Sequence, residues 1–429
     1  MTSIVGFGYP KNGSEDEKAS YNQEIVDLIE KTTLKYNTQG PRVPNWTLGM
    51  EIVIDKFGHD LHILGEKTQL VNESNFDAKE VEKAYKIIRD IEVDISNRDG
   101  DYRKRYWNVS DDALLISPTP VFDKLISEDI ELKNNSNPRQ LFAEVVASKK
   151  IIGSAIKSGM SYEQALNIEP LSENETVILF FHGGGFYLES PGTNRGAALE
   201  ISEETGYRVM LPDYRYAPVN PFPASIYDGY LFYKFLTIQG FKPKNIIIMG
   251  DSAGGNWCLC NMQILKESGQ EQPKAAVLLS PWCDLSFSTD SWKRNVGIDF
   301  IPVPDFNSVL CDARIYTAPG KPFDESVKEM LRHPLVSPIH GNYNGCAPMY
   351  IQSGEVELLV DDIDKLAEKI GAKEVYIKGS EHPGIDTKDR NIYEKYAGMV
   401  HIFFHFEESE EKKAAIKGIG NYLRNLDSN

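Results

Sequence analysis

Residues 250–256, Gly-Asp-Ser-Ala-Gly-Gly-Asn, separate two segments of different character. Asn245 to Met249 is a short apolar run that reads as a buried strand, and Trp257 to Glu267 reads as a helix closed by Gly269. A serine between glycines at such a junction demands a turn too tight for side chains at Gly250 and Gly254. The turn lifts the Ser252 hydroxyl above the sheet edge, where it can act as a nucleophile. Of all the stretches in the chain, this one leaves the least freedom in what surrounds it.

Val177 to Phe181 is a second buried-strand run, and it ends in His182-Gly183-Gly184-Gly185. Consecutive glycines leave backbone N–H groups uncovered, so they can point at a developing oxyanion. The surrounding sequence alternates strand, loop and helix. Arg208 to Leu211, Ala275 to Leu279, Met349 to Gln352 and Glu374 to Lys378 read as strands. Helices through Ala197–Ile201, Ile226–Ile238 and Ile363–Ile370 end at Gly206, Gly240 and Gly371, and Ile416, Ile419 and Leu423 fit a closing helix. Strands that are apolar throughout predict an α/β fold with a mostly parallel sheet covered by helices on both faces.

The 429 residues suffice for one large α/β unit with a cap or extension. A net charge of −17 argues against nucleic acid or an anionic membrane as the main partner. Five cysteines without zinc spacing suggest free thiols in a reducing compartment. Met1 to Lys18 is polar and no apolar run reaches the length of a membrane span, so a cytoplasmic protein is expected. The sequence leaves homodimerisation open.

The first 170 residues read as an N-terminal extension that contributes cap helices, and residues 171–429 as the catalytic core. Residues 1–20 are polar. Tyr21–Tyr36 and the stripe Val81, Ala84, Tyr85, Ile88 and Ile91 predict helices, and 41–58 reads as irregular. Residues 92–137 are charged and poorly periodic and read as mixed loop and short elements, and Leu141, Val145 and Ile152 suggest a further helix from near Pro138. Residues 286–345, rich in aromatics, Pro and Asp, interrupt the alternation and read as a cap insertion.

Four segments carry a family resemblance. They are the glycine run at 182–185, Asp213-Tyr214-Arg215-Tyr216-Ala217-Pro218, the serine turn, and Ser280-Pro281-Trp282. Together they resemble the hormone-sensitive-lipase-like branch of the α/β-hydrolases, with a further likeness to fungal esterases and sterol-ester deacetylases. The resemblance implies an α/β-hydrolase fold with a helical cap. It implies a carboxylesterase or deacetylase acting on small to medium hydrophobic esters, with no metal or cofactor.

In this fold the triad order is Ser, acid, His. The family register in the loop 353–362 selects Glu357, where Asp is usual, over Glu355 and Asp361; Asp361 reads as a helix N-cap. The segment around His401 is similar to the family's catalytic histidine segment, with Ile402 where Gly usually follows. His382 and His405 are its rivals. Gly183, Gly184 and Ala253 are the expected oxyanion donors, with His182 organising their loop and Asp213 and Arg215 forming a buried ion pair beneath it. Phe186, Tyr187, Trp282 and Phe287 are the expected substrate-binding residues. Two alternatives stand: a non-catalytic small-molecule receptor on this scaffold, as in the gibberellin receptors, and an amide hydrolase like the arylacetamide deacetylases.

Overall fold

The apolar runs pair into one nine-stranded sheet of order β1-β2-β4-β3-β5-β6-β7-β9-β8. The computed structural model describes Tyr9 and residues 13–66, 71–385 and 389–428, so most of the polar start lies outside the described residues. The strands are β1 (Gly100–Asn108), β2 (Gln140–Ser148), β3 (Val177–Phe181), β4 (Arg208–Asp213), β5 (Ile246–Asp251), β6 (Ala275–Leu279), β7 (Met349–Gly354), β8 (Lys373–Ile377) and β9 (Ile392–Tyr396). The β1–β2 and β2–β4 pairs are antiparallel; every other pair is parallel.

Alternate residues of β3 feed two cores. Val177, Leu179 and Phe181 pack with Leu231 and Trp257, from the helices Ala224–Ile238 and Ala253–Glu267. Ile178 and Phe180 pack with Ile201 and Ile419, from the helices Pro191–Thr205 and Glu411–Ser428. Every side chain of β3 is buried, which is why the run is apolar without alternation.

The early chain departs from its sequence pattern. Residues 140–148 form β2, and the helix starts only at Lys149. Leu141 and Val145 therefore lie on a strand. Strand geometry wins because β2 pairs along its whole length with β1 and also with β4. The sheet thus reaches back to Gly100, well ahead of residue 171, and the elements between loops in 92–137 are the strand β1 and the helix Asp123–Asn134. The stretch 41–58, expected to be irregular, contains most of the helix Leu48–Glu66, which carries Gly58 in its interior. The first helix extends beyond its expected span at both ends, at Glu15–Gln39, and the third, Ala78–Arg89, starts before its stripe and stops short of Ile91.

Two buried ion clusters knit this region to the rest. Arg139 lies 2.8 Å from both Asp129 and Asp228, and Asp228 also pairs with Arg215 at 2.9 Å. The expected Asp213–Arg215 pair does not form: Tyr216 donates to Asp213, and Arg215 turns to the helix carrying Asp228. Arg195 makes a two-pronged pair with Glu144 of β2 at 2.7 Å. Removing one partner of such a buried pair leaves an uncompensated charge and costs about 3–5 kcal/mol.

A chain starting at residue 171 loses β1 and β2, bares the β4 edge, strands Arg195 without its carboxylate partners and leaves Asp228 with Arg215 alone. It is expected to be insoluble or to unfold non-cooperatively; a soluble product with a sharp thermal transition and esterase activity would refute this reading.

Candidate active site

The glycines of the serine turn are required by contact, not by habit. A Cβ on Gly254 would collide with the Phe181 carbonyl, one on Gly250 with the Gly254 backbone, and one on Gly255 would sit 2.7 Å from Pro281 Cβ. The helix carrying Ser252 is thereby pressed against β3 and the start of the loop after β6. Ser252 takes the tension, with φ +50° and ψ −115°. A non-glycine residue is rarely held there except where the surroundings over-determine it. Its own N–H donates to Leu279, and its carbonyl accepts from Trp282.

The glycine run packs directly beside it. A Cβ on Gly183 would lie 3.2 Å from Ser252 Cβ, and Gly184 and Gly185 have positive φ, +81° and +60°. Ala253 is the first residue of the elbow helix, so its N–H has no partner within that helix. His182 is fully buried and stacks on Tyr214, whose hydroxyl donates to the His182 carbonyl. Burial pushes its imidazole down to about 3, so it is neutral and structural.

Across the sheet edge, His401 Nδ1 lies 3.3 Å from Glu357 Oε2, and both side chains are buried. Burial pushes the Glu357 carboxyl well up and the His401 imidazole below its ordinary value; Asp299, Asp251 and Glu189 pull His401 back up, Asp299 most. The neutral imidazole, the form able to accept a proton, is thereby favoured. Ile402, standing where glycine is usual, adopts the left-handed region at φ +45°, and its N–H donates to Ser280 Oγ. The backbone turns there whatever the residue. A β-branched side chain makes the turn costly, and the surrounding contacts hold it.

The rivals fall elsewhere. His382 Nε2 lies 2.7 Å from Glu394 in a closed network with Tyr350, Tyr396 and Gln352, away from Ser252. Asp361 is not the N-cap, which is Leu359; it lies in the first turn and pairs with Arg294. Glu355 accepts from Tyr376 and from the Gly398 N–H. His405 faces the site, but as a neighbour of Asp251, Nε2 to Oδ2 at 3.7 Å, and burial pushes it down to about 4.

Ser252, His401, Gly184 and Gly185 line one cavity of about 510 Å³. Phe57, Leu61 and Leu64 from the helix Leu48–Glu66, and Phe300, Ile301 and Leu310 from the insertion, wall it. Tyr187, Trp282 and Phe287 also line it. Phe186 does not: it is stacked on Tyr316 inside the core, centroids 4.1 Å apart. The sequence also missed polar neighbours. Glu189 lines the cavity, is pushed up to about 7 by burial, and accepts from Asn194. Asp299 is buried and hydrogen-bonds both catalytic loops. Neither lies in a recognisable motif; only the folded chain brings them in.

The chain is similar to known proteins. A model of the alpha/beta hydrolase fold matches residues 178–386. An esterase from Acinetobacter venetianus is 30% identical over 253 residues, covering 58% of this chain and 75% of its own. The chain belongs to the α/β-hydrolase family. This hydrolase is also 29% identical over 258 residues to an acetyl-hydrolase of Streptomyces hygroscopicus, covering 60% and 78% of the two chains. A crystal structure of a hormone-sensitive lipase from a metagenome library superposes with a TM-score of 0.51 at 26% identity, over 67% of this chain and 82% of the other. The hydrolase falls in the hormone-sensitive-lipase-like branch and is an ester-hydrolysing enzyme.

No described helix is long and apolar enough to cross a membrane, and the five cysteines are buried and unpaired.

Gly184→Ala is expected to keep the fold and lower kcat by about 10²–10³, the worth of one oxyanion donor. A Cβ there meets the Glu189 backbone N at 2.5 Å and forces the loop aside. Unchanged kcat in steady-state assays would mean the loop holds no charge.

Proposed function

We propose that this hydrolase is a serine carboxylesterase for small to medium hydrophobic esters, acting through Ser252, His401 and Glu357. The observation that carries the reading is the 3.3 Å contact of His401 Nδ1 with Glu357, with His401 and Ser252 facing one cavity. Glu357 holds Nδ1 as the protonated nitrogen, which leaves Nε2 to act as the base. His401 takes the proton of Ser252 Oγ as the oxygen attacks the ester carbonyl carbon. The carbonyl oxygen becomes an oxyanion received by the N–H groups of Gly183, Gly184 and Ala253. His401 returns the proton to the leaving alcohol, and the acyl group remains on Ser252. Water, deprotonated by His401, then attacks the acyl-enzyme carbonyl; the bond to Ser252 Oγ breaks, His401 returns the proton to Oγ, and the acid is released. The chemistry asks for no metal or cofactor.

The cavity walls support the substrate class. Phe57, Leu61, Trp282, Phe287 and Phe300 offer an apolar surface of a size that suits a short to medium acyl chain or a compact alcohol. The roof comes from the N-terminal helices and from the insertion 286–345, which together act as the cap.

Ser252→Ala is expected to lower kcat on the order of 10⁶-fold, His401→Ala comparably, and Glu357→Ala about 10⁴-fold, because triad members act as a unit. His382→Ala should lower the melting temperature through the Glu394 network while kcat changes little. An organophosphate that labels any residue other than Ser252 would overturn the assignment. A panel of p-nitrophenyl esters from acetate to palmitate, run beside an anilide, tests the substrate. Turnover should hold through octanoate, fall at palmitate and be slow on the anilide. Faster anilide cleavage would make the enzyme an amidase, and binding without turnover a receptor.

A further inference from the structure

The insertion does more than roof the cavity. Its helical turn Ser291–Arg294 and the residues just after it reach down to both catalytic loops. Asn295 Nδ2 donates to the Glu357 carbonyl at 2.8 Å, and the Leu358 N–H donates to Asp299 Oδ2 at 2.8 Å. The peptide joining Glu357 to Leu358 is therefore held at both its oxygen and its nitrogen by the insertion. Asp299 Oδ1 accepts from its neighbour Phe300 at 2.8 Å and from the His401 N–H at 3.4 Å. One carboxylate thus ties three segments: the acid loop, the base loop and the cavity wall. Ser291 Oγ donates to the Leu358 carbonyl at 2.6 Å, and Trp292 Nε1 to Asp362 at 3.0 Å, which fixes the turn itself.

From this geometry we infer that Asp299 is a positioning residue for the triad, through which the cap insertion sets the approach of Glu357 to His401. The inference rests on the triad reading above. Asp299 is buried, and its two oxygens accept three backbone N–H groups, a set that favours the ionised carboxylate against the burial that pushes it up to about 6. Its charge then lies beside the imidazole. The other titratable groups around His401 are Glu357, Asp251, Glu189 and His405. When His401 accepts the Ser252 proton it becomes a buried cation, and a carboxylate held behind its backbone steadies that cation without touching substrate. Phe300, the next residue, lines the cavity and lies beside His401, ring centroids 6.2 Å apart. A ligand that presses on Phe300 presses on the segment that aligns the base.

The test is a set of single variants assayed per active site, with Ser252 titrated by an organophosphate. Asp299→Asn removes the charge and one acceptor. Its kcat should fall on the order of 10–100-fold for a slight misplacement of the base, with KM for p-nitrophenyl butyrate little changed. The sign on pH follows from the charge. A carboxylate raises the pKa of its neighbour, so its loss lowers the pKa of His401. The ascending acid limb of kcat/KM should move to lower pH by about one unit. Asp299→Glu restores the charge and should bring the limb back. Asn295→Ala loosens the Glu357 peptide without altering charge, so kcat should fall severalfold with the limb in place. A purely structural role would lower the titrated fraction and the melting temperature but not the limb. The inference is overturned if Asp299→Asn keeps kcat within twofold and the limb unmoved. If that variant does not fold, Asn295→Ala with kcat per site within twofold overturns it instead. Activity that survives Ser252→Ala defeats the triad reading; a dead Ser252→Ala beside a normal Asp299→Asn defeats only this inference.

Discussion

The approach of the elbow helix to β3 is the contact on which this molecule depends. There is no room for a Cβ between Gly254 and the Phe181 carbonyl. That closeness sets the helix axis, holds Ser252 in its strained conformation, and brings the glycine run at the end of β3 alongside the nucleophile. A methyl group at Gly254 would push the helix outward and move Ser252 away from the glycine run. Strain at one residue and close packing at its neighbours are two sides of one arrangement.

Around that contact the protein buries many titratable groups, and nearly all are used as hydrogen-bonding frames. Glu394 collects His382, Tyr350 and Tyr396 between the sheet and the last helix. Asp228 collects Arg139 and Arg215 on the opposite side. Near the nucleophile the balance is different. Asp251 and Glu189 are both pushed up to about 7 by burial, so near neutral pH each carries part of a charge and holds the His401 imidazole up from the value burial alone would give it.

The catalytic half was legible because its signals are local. Apolar runs of five residues, glycines at turns and a serine between them all act within a few positions. The misreadings have non-local causes. β1 carries Asp101, Arg103, Lys104 and Arg105 because it is an edge strand, so it shows no apolar period. Leu141 and Val145 have helical spacing, yet the pairing with β1 and β4 decides their state. β9 was hidden by Glu394 and Lys395, and Glu394 is tolerated inside only because Tyr350, Gln352, Tyr396 and His382 bond to it. Arg215 found Asp228 instead of Asp213 because a helix starting at Ala224 presents it at the right height. Asp299 had no sequence signal, since its partners are backbone N–H groups, which every residue but proline supplies.

One further contact sets when the site can exist. Trp46 Nε1 donates to the Gly398 carbonyl at 2.6 Å, and Asn45 Nδ2 to the Ala397 carbonyl at 2.9 Å, each across 352 residues of chain. The loop that carries His401 is thus buttressed by a segment 352 residues earlier in the chain. On a ribosome, Trp46 emerges long before its partner, and its indole N–H stays with water until that partner has followed. Closing so large a loop is entropically costly and comes late in folding. A nascent chain therefore displays Ser252 well before the His401 loop can be seated beside it.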